Sequence, residues 1–234
     1  MMYTGINSGE RGMMMAVSEM SVNQADSAAH TQVDLADILN QKKSFLVRKR
    51  IFDIVFSLAA LILCIIPMLI IAIIIKLDSP GPAIYKQERL GKNGKKFMIY
   101  KFRSMRTDAE AKGPRWASEN DERCTKLGQF LRLKRIDELP QFYNILIGDM
   151  SFVGPRPERE YFYNEFEKYI PNFRDRLMVK PGLTGHAQVN GGYKLKPEEK
   201  IIYDIEYIKH QSLRVDLEII LKTVVVVLTH KGAR

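Results

Sequence analysis

At 234 residues, the chain is long enough for one moderate domain plus an anchor and too short for two independent cores. Its formal net charge of +9 is concentrated: Lys86 to Arg135 holds 15 Lys/Arg against 6 Asp/Glu, a surplus equal to that of the whole chain, so an anionic partner is expected there, whether acidic lipid, nucleic acid or a phosphorylated substrate. The two cysteines, Cys64 and Cys124, form no Cys-x-x-Cys pair and no His/Cys cluster at metal-ligand spacing, which argues against a zinc module or a disulfide scaffold.

Residues 1–40 are rich in Met, Ser, Ala, Asn and Gln and lack both a sustained apolar period and a signal-peptide h-region. They read as a disordered tail with a short helix at Asp34 to Leu39. Ile51 to Leu77 follows, with Asp53 and Lys76 as its only charges, and is long enough to cross about 30 Å of hydrocarbon as a helix. Lys42, Lys43, Arg48, Lys49 and Arg50 precede it, and Lys86, Arg89, Lys92, Lys95 and Lys96 come after it. Positive residues prefer the cytoplasmic side, so a helix that enters, bends and leaves by one face keeps both clusters inside, whereas a plain span does not. Pro67, in the middle of the run, can supply the bend because it lacks the helical N–H and clashes with the preceding turn. The expected anchor is therefore a re-entrant helical hairpin; a plain span is the alternative.

Beyond the Ser79-Pro80-Gly81-Pro82 break, two strand-like runs, Ala83 to Arg89 and Lys96 to Phe102, flank Gly91-Lys92-Asn93-Gly94, a β-hairpin signal. Residues 106–126 read as a polar loop with short helical pieces, and Leu127 to Arg135 as an amphipathic helical turn. Leu139, Phe142, Tyr143 and Leu146 then recur at helical spacing, with Asp137 as an N-cap type and Pro140 tolerated in the first turn. Glu158 to Tyr169 and Pro197 to His210 read as helices, and Gly182 to Gly192 as a turn-rich segment with a short strand. Leu213 to Leu228 carries Asp216, Glu218 and Lys222, so it reads as a packed or interfacial helix and not as a second span.

The chemistry-bearing feature is the carboxylate pair Asp137 and Glu138, placed directly after Arg132, Lys134 and Arg135 and ahead of a helix N-terminus. Arginine forks bind phosphate oxygens, and a carboxylate can hold Mg²⁺ or attack phosphorus. Taken alone, such a pair is more often a helix cap with surface ion pairs. In Gly154-Pro155-Arg156-Pro157, prolines on both sides of Arg156 fix a loop that presents its guanidinium. Gly91 to Gly94 lacks the Gly-Lys-Ser/Thr ending of a P-loop.

Read together, KRIFDIVFSLAA from 49, GPAIYKQERLG from 81, FMIYKFRSM from 97, LGQFLR from 127, DELPQFYNILIGDMSFVGPRP from 137 and VKPGLTGHAQVNG from 179 resemble the bacterial sugar transferases, the monotopic phosphoglycosyl transferases. The resemblance covers about Lys49 to Leu228. It implies transfer of a sugar 1-phosphate from a UDP-sugar to undecaprenyl phosphate, with release of UMP, as the first membrane step of exopolysaccharide or capsule synthesis. Asp137 falls on the family's nucleophile, which forms a covalent aspartyl-phosphosugar, and Glu138 on the acid that helps to hold Mg²⁺ with Asp137. Arg132, Arg156, Lys101 and Arg103 fall on phosphate-binding positions, and Pro67 on the proline that breaks the re-entrant helix. Gln188, Val189 and Asn190 to Tyr193 are expected to help shape the sugar or nucleotide pocket. His186 departs from the pattern, since a tryptophan is usual there.

The resulting expectation is a helix-rich α+β fold with a small β-hairpin. Residues 1–40 form the tail, 41–78 the anchor, and 79–234 a catalytic domain on the cytoplasmic face of the inner membrane. Membrane lipids, a homodimer and downstream glycosyltransferases are expected partners, and nucleic acid is not, because no nucleic-acid module is recognisable. The competing reading is an inactive membrane-tethered scaffold or an adaptor for acidic lipid. The sugar is not fixed by the sequence.

Overall fold

The computed structural model describes residues 34–111, 113, 115 and 121–229. The chain divides into two units, Met1–Gln41 and Lys42–Arg234. In the first, residues 34–41 are helical (α1), as expected for Asp34 to Leu39; the rest of the expected tail, residues 1–33, lies outside the described residues.

The second unit opens with one long helix, α2 (Lys43–Asp78, 36 residues), which carries Pro67 inside it. Phe45, Lys49, Asp53 and Ser57 recur every fourth residue and form its buried stripe. Asp53 Oδ1 accepts hydrogen bonds from Ser151 Oγ (3.1 Å) and the Phe152 N–H (3.0 Å), Lys49 Nζ meets Asp216 Oδ2 at 2.6 Å, and Arg50 donates to the carbonyls of Ile145 and Leu146. The central turns are different: Ile62, Leu63, Ile65, Ile66, Leu69 and Ile70 are all more than half exposed. So large an exposed apolar surface marks a membrane or partner interaction. Toward its end the helix returns to the body, where Ile75 packs with Phe102 and Leu131. Among the described residues, α2 is the one helix long and apolar enough to cross a membrane.

The hairpin expectation holds. β1 (Ile84–Leu90) pairs antiparallel with β2 (Lys96–Phe102), from Ile84 opposite Phe102 to Leu90 opposite Lys96, and Asn93 takes the left-handed conformation in the turn. Phe97 and Ile99 alternate inward from β2 onto Ile145 and Met150. The helix α3 (Lys126–Leu133) starts at Thr125, whose side chain accepts from the Gly128 N–H. Gly128 lies so close to Ser104 that a Cβ would run into the Ser104 carbonyl. Gly128→Ala is therefore expected to lower stability by about 1–3 kcal/mol through overpacking, read as a fall in melting temperature.

The helix α4 (Gln141–Ile147) is locked to β2 by Asn144, fully buried, which accepts from the Tyr100 N–H (3.0 Å) and donates to the Met98 carbonyl (2.7 Å). It ends at Gly148 in left-handed backbone. Two short parallel strands come next, β3 (Ser151–Val153) and β4 (Gly182–Thr184). The helix α5 (Glu160–Phe166) is shorter than the sequence pattern suggested, and α6 (His186–Asn190) replaces the expected turns after β4. The helix α7 (Pro197–His210) matches its expected bounds. The last helix, α8 (Leu213–Thr229), buries Asp216 and Ile219 and exposes Leu217, Leu221, Val224, Val225 and Leu228, as a packed helix with an apolar outer face. His186 packs beside the Tyr203 ring and faces Glu206 at 3.4 Å, both on α7.

Candidate active site

A sharp change of course presents the two carboxylates. Just after α3, Arg135 adopts left-handed backbone (φ 55°), uncommon for a residue with a Cβ and typical of constrained sites. The chain then makes a 3₁₀ turn, Ile136–Glu138, before α4 begins at Gln141. The expected N-cap role of Asp137 is thus corrected: Pro140 occupies the cap position, and Asp137 lies in the separate turn ahead of it. Packing decides this, because Ile136 and Leu139 are drawn into the apolar cluster at the end of α2 and turn the acids inward.

Asp137 and Glu138 are both buried, which disfavours two adjacent negative charges unless cations compensate. The compensation is asymmetric. Lys101 Nζ, from β2, and Arg156 Nη2, from the loop after β3, reach the same oxygen, Glu138 Oε1, at 2.8 and 2.7 Å. Burial would raise the Glu138 pKa, but Arg156 and Lys101 outweigh it and hold this carboxyl well below its usual range. Burial, reinforced by the charge of Glu138, instead pushes Asp137 up to about 6, against the opposing pull of Lys101, Arg132 and Arg156. One acid is held as an anion and the other is a dehydrated, more basic carboxyl, a division found at catalytic pairs.

A reaction needing ionised Asp137 gains rate as pH rises through about 6 and loses it below. Glu138→Gln removes a charge that raises Asp137 and frees two cations that lower it. The acid limb of the pH–rate profile is expected to move down by about one unit, with a lower plateau.

Of the expected phosphate ligands, Lys101, Arg156 and Arg132 come together around the dyad, Arg132 through the field it exerts on Asp137 while its Nη1 sits 3.0 Å from Cys124 Sγ. Arg103 does not join them. It is buried and spends its guanidinium on the carbonyls of Ile75, Ser79 and Pro80, closing the C-terminal end of α2. The free carbonyls of a helix end attract a cation strongly enough to claim it. Pro67 belongs to α2 alone.

Beyond Arg156 lies a small, shallow cleft lined by Arg135, Arg156, Arg176, Ala187, Gln188, Gly192 and Lys200. Arg176 and Lys200 had no local sequence signal: Lys200 lies in the helix expected over Pro197 to His210, and Arg176 falls between the expected elements. Among the described residues no group of three or more His, Cys, Asp or Glu forms a metal cage. The dyad carboxylates are nonetheless the donors that a hard cation shared with substrate phosphates would use.

Comparison with known proteins bears on this site. Residues 44–230 match the family model described as bacterial sugar transferase. The chain is 46% identical over 189 residues to a UDP-N-acetylgalactosamine-undecaprenyl-phosphate N-acetylgalactosaminephosphotransferase of Aeromonas hydrophila, covering 80% of this chain and 45% of the relative. It is 41% identical over 190 residues to a UDP-glucose:undecaprenyl-phosphate glucose-1-phosphate transferase of Escherichia coli, covering 79% of this chain and 41% of that one. An exopolysaccharide production protein of Rhizobium leguminosarum is 42% identical over 193 residues, covering 79% of this chain and 96% of its own length. The chain thus spans less than half of the first two relatives and nearly all of the third.

Proposed function

Because the chain belongs to the bacterial sugar transferase family, we propose that it transfers a sugar 1-phosphate from a UDP-sugar to undecaprenyl phosphate by way of a covalent intermediate on Asp137. The observation that carries this reading is the split dyad: a buried Asp137 with a raised pKa beside a Glu138 clamped by Lys101 and Arg156. A dehydrated carboxylate of raised basicity is a good nucleophile, and adjacent cations suit a diphosphate. The names of the relatives supply the substrate class.

In the first half-reaction an Asp137 oxygen bonds to the β-phosphorus as the bridging oxygen to the α-phosphate departs with UMP. In the second, an oxygen of undecaprenyl phosphate attacks the same phosphorus and displaces the Asp137 carboxylate, giving a polyprenyl diphosphate sugar. Lys101, Arg132 and Arg156 orient phosphate oxygens and offset their charge. Asp137 and Glu138 would hold a Mg²⁺ ion, which would supply further neutralisation of the diphosphate.

The anchor reading belongs to the same proposal. Arg50, near the start of α2, and Ile75, near its end, dock on one body, and Met68, Ile71 and Ala72 pack on the same cluster as Ile75, while the outer face on both sides of Pro67 is exposed. A straight helix would separate those two residues by about 37 Å. A bend at Pro67, where the Leu63 carbonyl loses its helical donor, lets both ends meet one membrane face. This re-entrant arrangement holds residues 79–234 as the catalytic domain on the cytoplasmic side of the inner membrane, where a soluble nucleotide sugar and a lipid phosphate meet.

The test is to incubate membranes carrying the native chain with undecaprenyl phosphate, Mg²⁺ and a panel of UDP-sugars. UMP release and a lipid-linked sugar product with one donor class are expected. No release with any donor would overturn the assignment.

A further inference from the structure

Arg176 and Asp204 form a buried ion pair that the transfer steps do not use. Asp204 Oδ2 lies 2.7 Å from Arg176 Nη2 and both side chains are 1% exposed. They come from separate segments, Arg176 from the 3₁₀ turns Phe173–Met178 and Asp204 from α7. Stability alone is a poor account of such a pair, because desolvating two charges costs about as much as their attraction returns, and apolar residues of similar size often replace them without loss. The same Nη2 donates to the Arg156 carbonyl at 3.0 Å. Nε and Nη1 have no hydrogen-bond partner, and the guanidinium lies 5.0 Å from the centre of the Phe173 ring and 5.9 Å from that of Tyr163. Two rings and a carboxylate thus fix the group, and its hydrogen bonding goes to Arg156.

What this bond holds is the loop that presents the Arg156 guanidinium. Pro155 and Pro157 have no N–H to offer, so the loop is fastened at its ends and through its carbonyls. The Gly154 N–H donates to the Thr184 carbonyl at 2.9 Å, the Pro155 carbonyl accepts from the Gly182 N–H at 2.9 Å, and the Glu158 carbonyl accepts from the Leu90 N–H at 3.1 Å. Between these points the Arg156 carbonyl is tied to Arg176. Rotation of that peptide would swing the Arg156 side chain, whose Nη2 lies 2.7 Å from Glu138 Oε1. A displacement of about 1 Å in a positioned group can cost about a hundredfold in rate.

Resting on the transferase reading above, we infer that Arg176, clamped by Asp204, is a positioning residue of the transfer reaction: it holds the Arg156 carbonyl so that the Arg156 guanidinium stays on Glu138, beside the phosphate that Asp137 attacks.

The experiment uses the full chain in membranes with undecaprenyl phosphate and the best UDP-sugar donor. It compares the native protein, Arg156→Ala, the paired change Arg176→Met with Asp204→Leu, and all three substitutions together. The paired change removes both charges at once and so leaves no lone buried ion. Arg176→Lys, which keeps a charge for Asp204 on a shorter head without the fork, takes its place should the paired change fail to fold. Arg156→Ala is expected to lower kcat/KM about a hundredfold in the native chain, as for loss of one donor to a reacting oxyanion. The paired change is expected to lower it about tenfold, and Arg156→Ala on top of it only about tenfold more, because part of what it removes is already lost. The acid limb of the pH–rate profile should move up by about half a unit in the paired change, since Arg156 pulls Asp137 down and a loosened Arg156 pulls less. A merely structural role would lower the melting temperature and leave that limb in place. A hundredfold cost of Arg156→Ala in both backgrounds, or an unmoved acid limb, would overturn the inference. Silence of the native chain with every donor would instead remove the transferase reading on which it rests.

Discussion

Asp137→Asn is expected to abolish carrier-dependent UMP release, by at least about a thousandfold, while the protein stays folded and still binds the nucleotide sugar. The substitution keeps the size of the side chain and removes its nucleophilic oxygen anion. It also removes one of two adjacent buried acids, so the fold loses an electrostatic burden and should melt no lower than the native chain. The measurement is UMP release together with trapping of labelled sugar phosphate on the protein after exposure to donor alone. Label on the native chain and none on the variant is the expected pair of results. Turnover surviving in Asp137→Asn would remove the covalent route and leave direct transfer between the two substrates.

The second large effect concerns the attachment of α2. Lys49 and Asp216 meet at 2.6 Å with side chains 10% and 5% exposed, and the Tyr207 hydroxyl donates to the other Asp216 oxygen at 2.7 Å and lies 3.2 Å from the Val153 carbonyl. This network ties α2 to α8, α7 and β3, next to the loop that carries Arg156. Asp216→Ala leaves the Lys49 charge buried without its partner, the Tyr207 hydroxyl keeping only the Val153 carbonyl, and is expected to cost about 3–5 kcal/mol. Lys49→Met combined with Asp216→Leu removes both charges and should cost markedly less than the single change, because no lone buried ion remains. Thermal unfolding in detergent of the single and double variants provides the check, and a double variant as unstable as Asp216→Ala would refute the paired-charge account.

The asymmetry of the dyad follows from where the cations come from. Lys101 belongs to the hairpin and Arg156 to the loop after β3, and both converge on one oxygen of Glu138. Two residues adjacent in sequence and alike in chemistry thereby acquire opposite shifts, because burial acts on both while ion pairing acts on one.

The sequence alone determined the long apolar helix, the hairpin around Asn93, helix α7, and the dyad with Arg132 and Arg156 as candidates, since each is written in a local run, a turn residue or a contiguous motif. What it could not determine depended on long-range partners. Arg103 and Lys101 stand two residues apart in one basic strand, yet only the tertiary structure sends Lys101 to Glu138 and Arg103 to the end of α2. Asp53 looked like an isolated charge in an apolar run, and its role became visible only when β3 supplied Ser151 and the Phe152 N–H. Arg176 carried no local signal, and only the packing sets it against Asp204 and the Arg156 carbonyl. Local pattern fixes which groups are present and which elements form. The packing of those elements decides which charges meet, and with that which of two adjacent carboxylates is held in ion pairs.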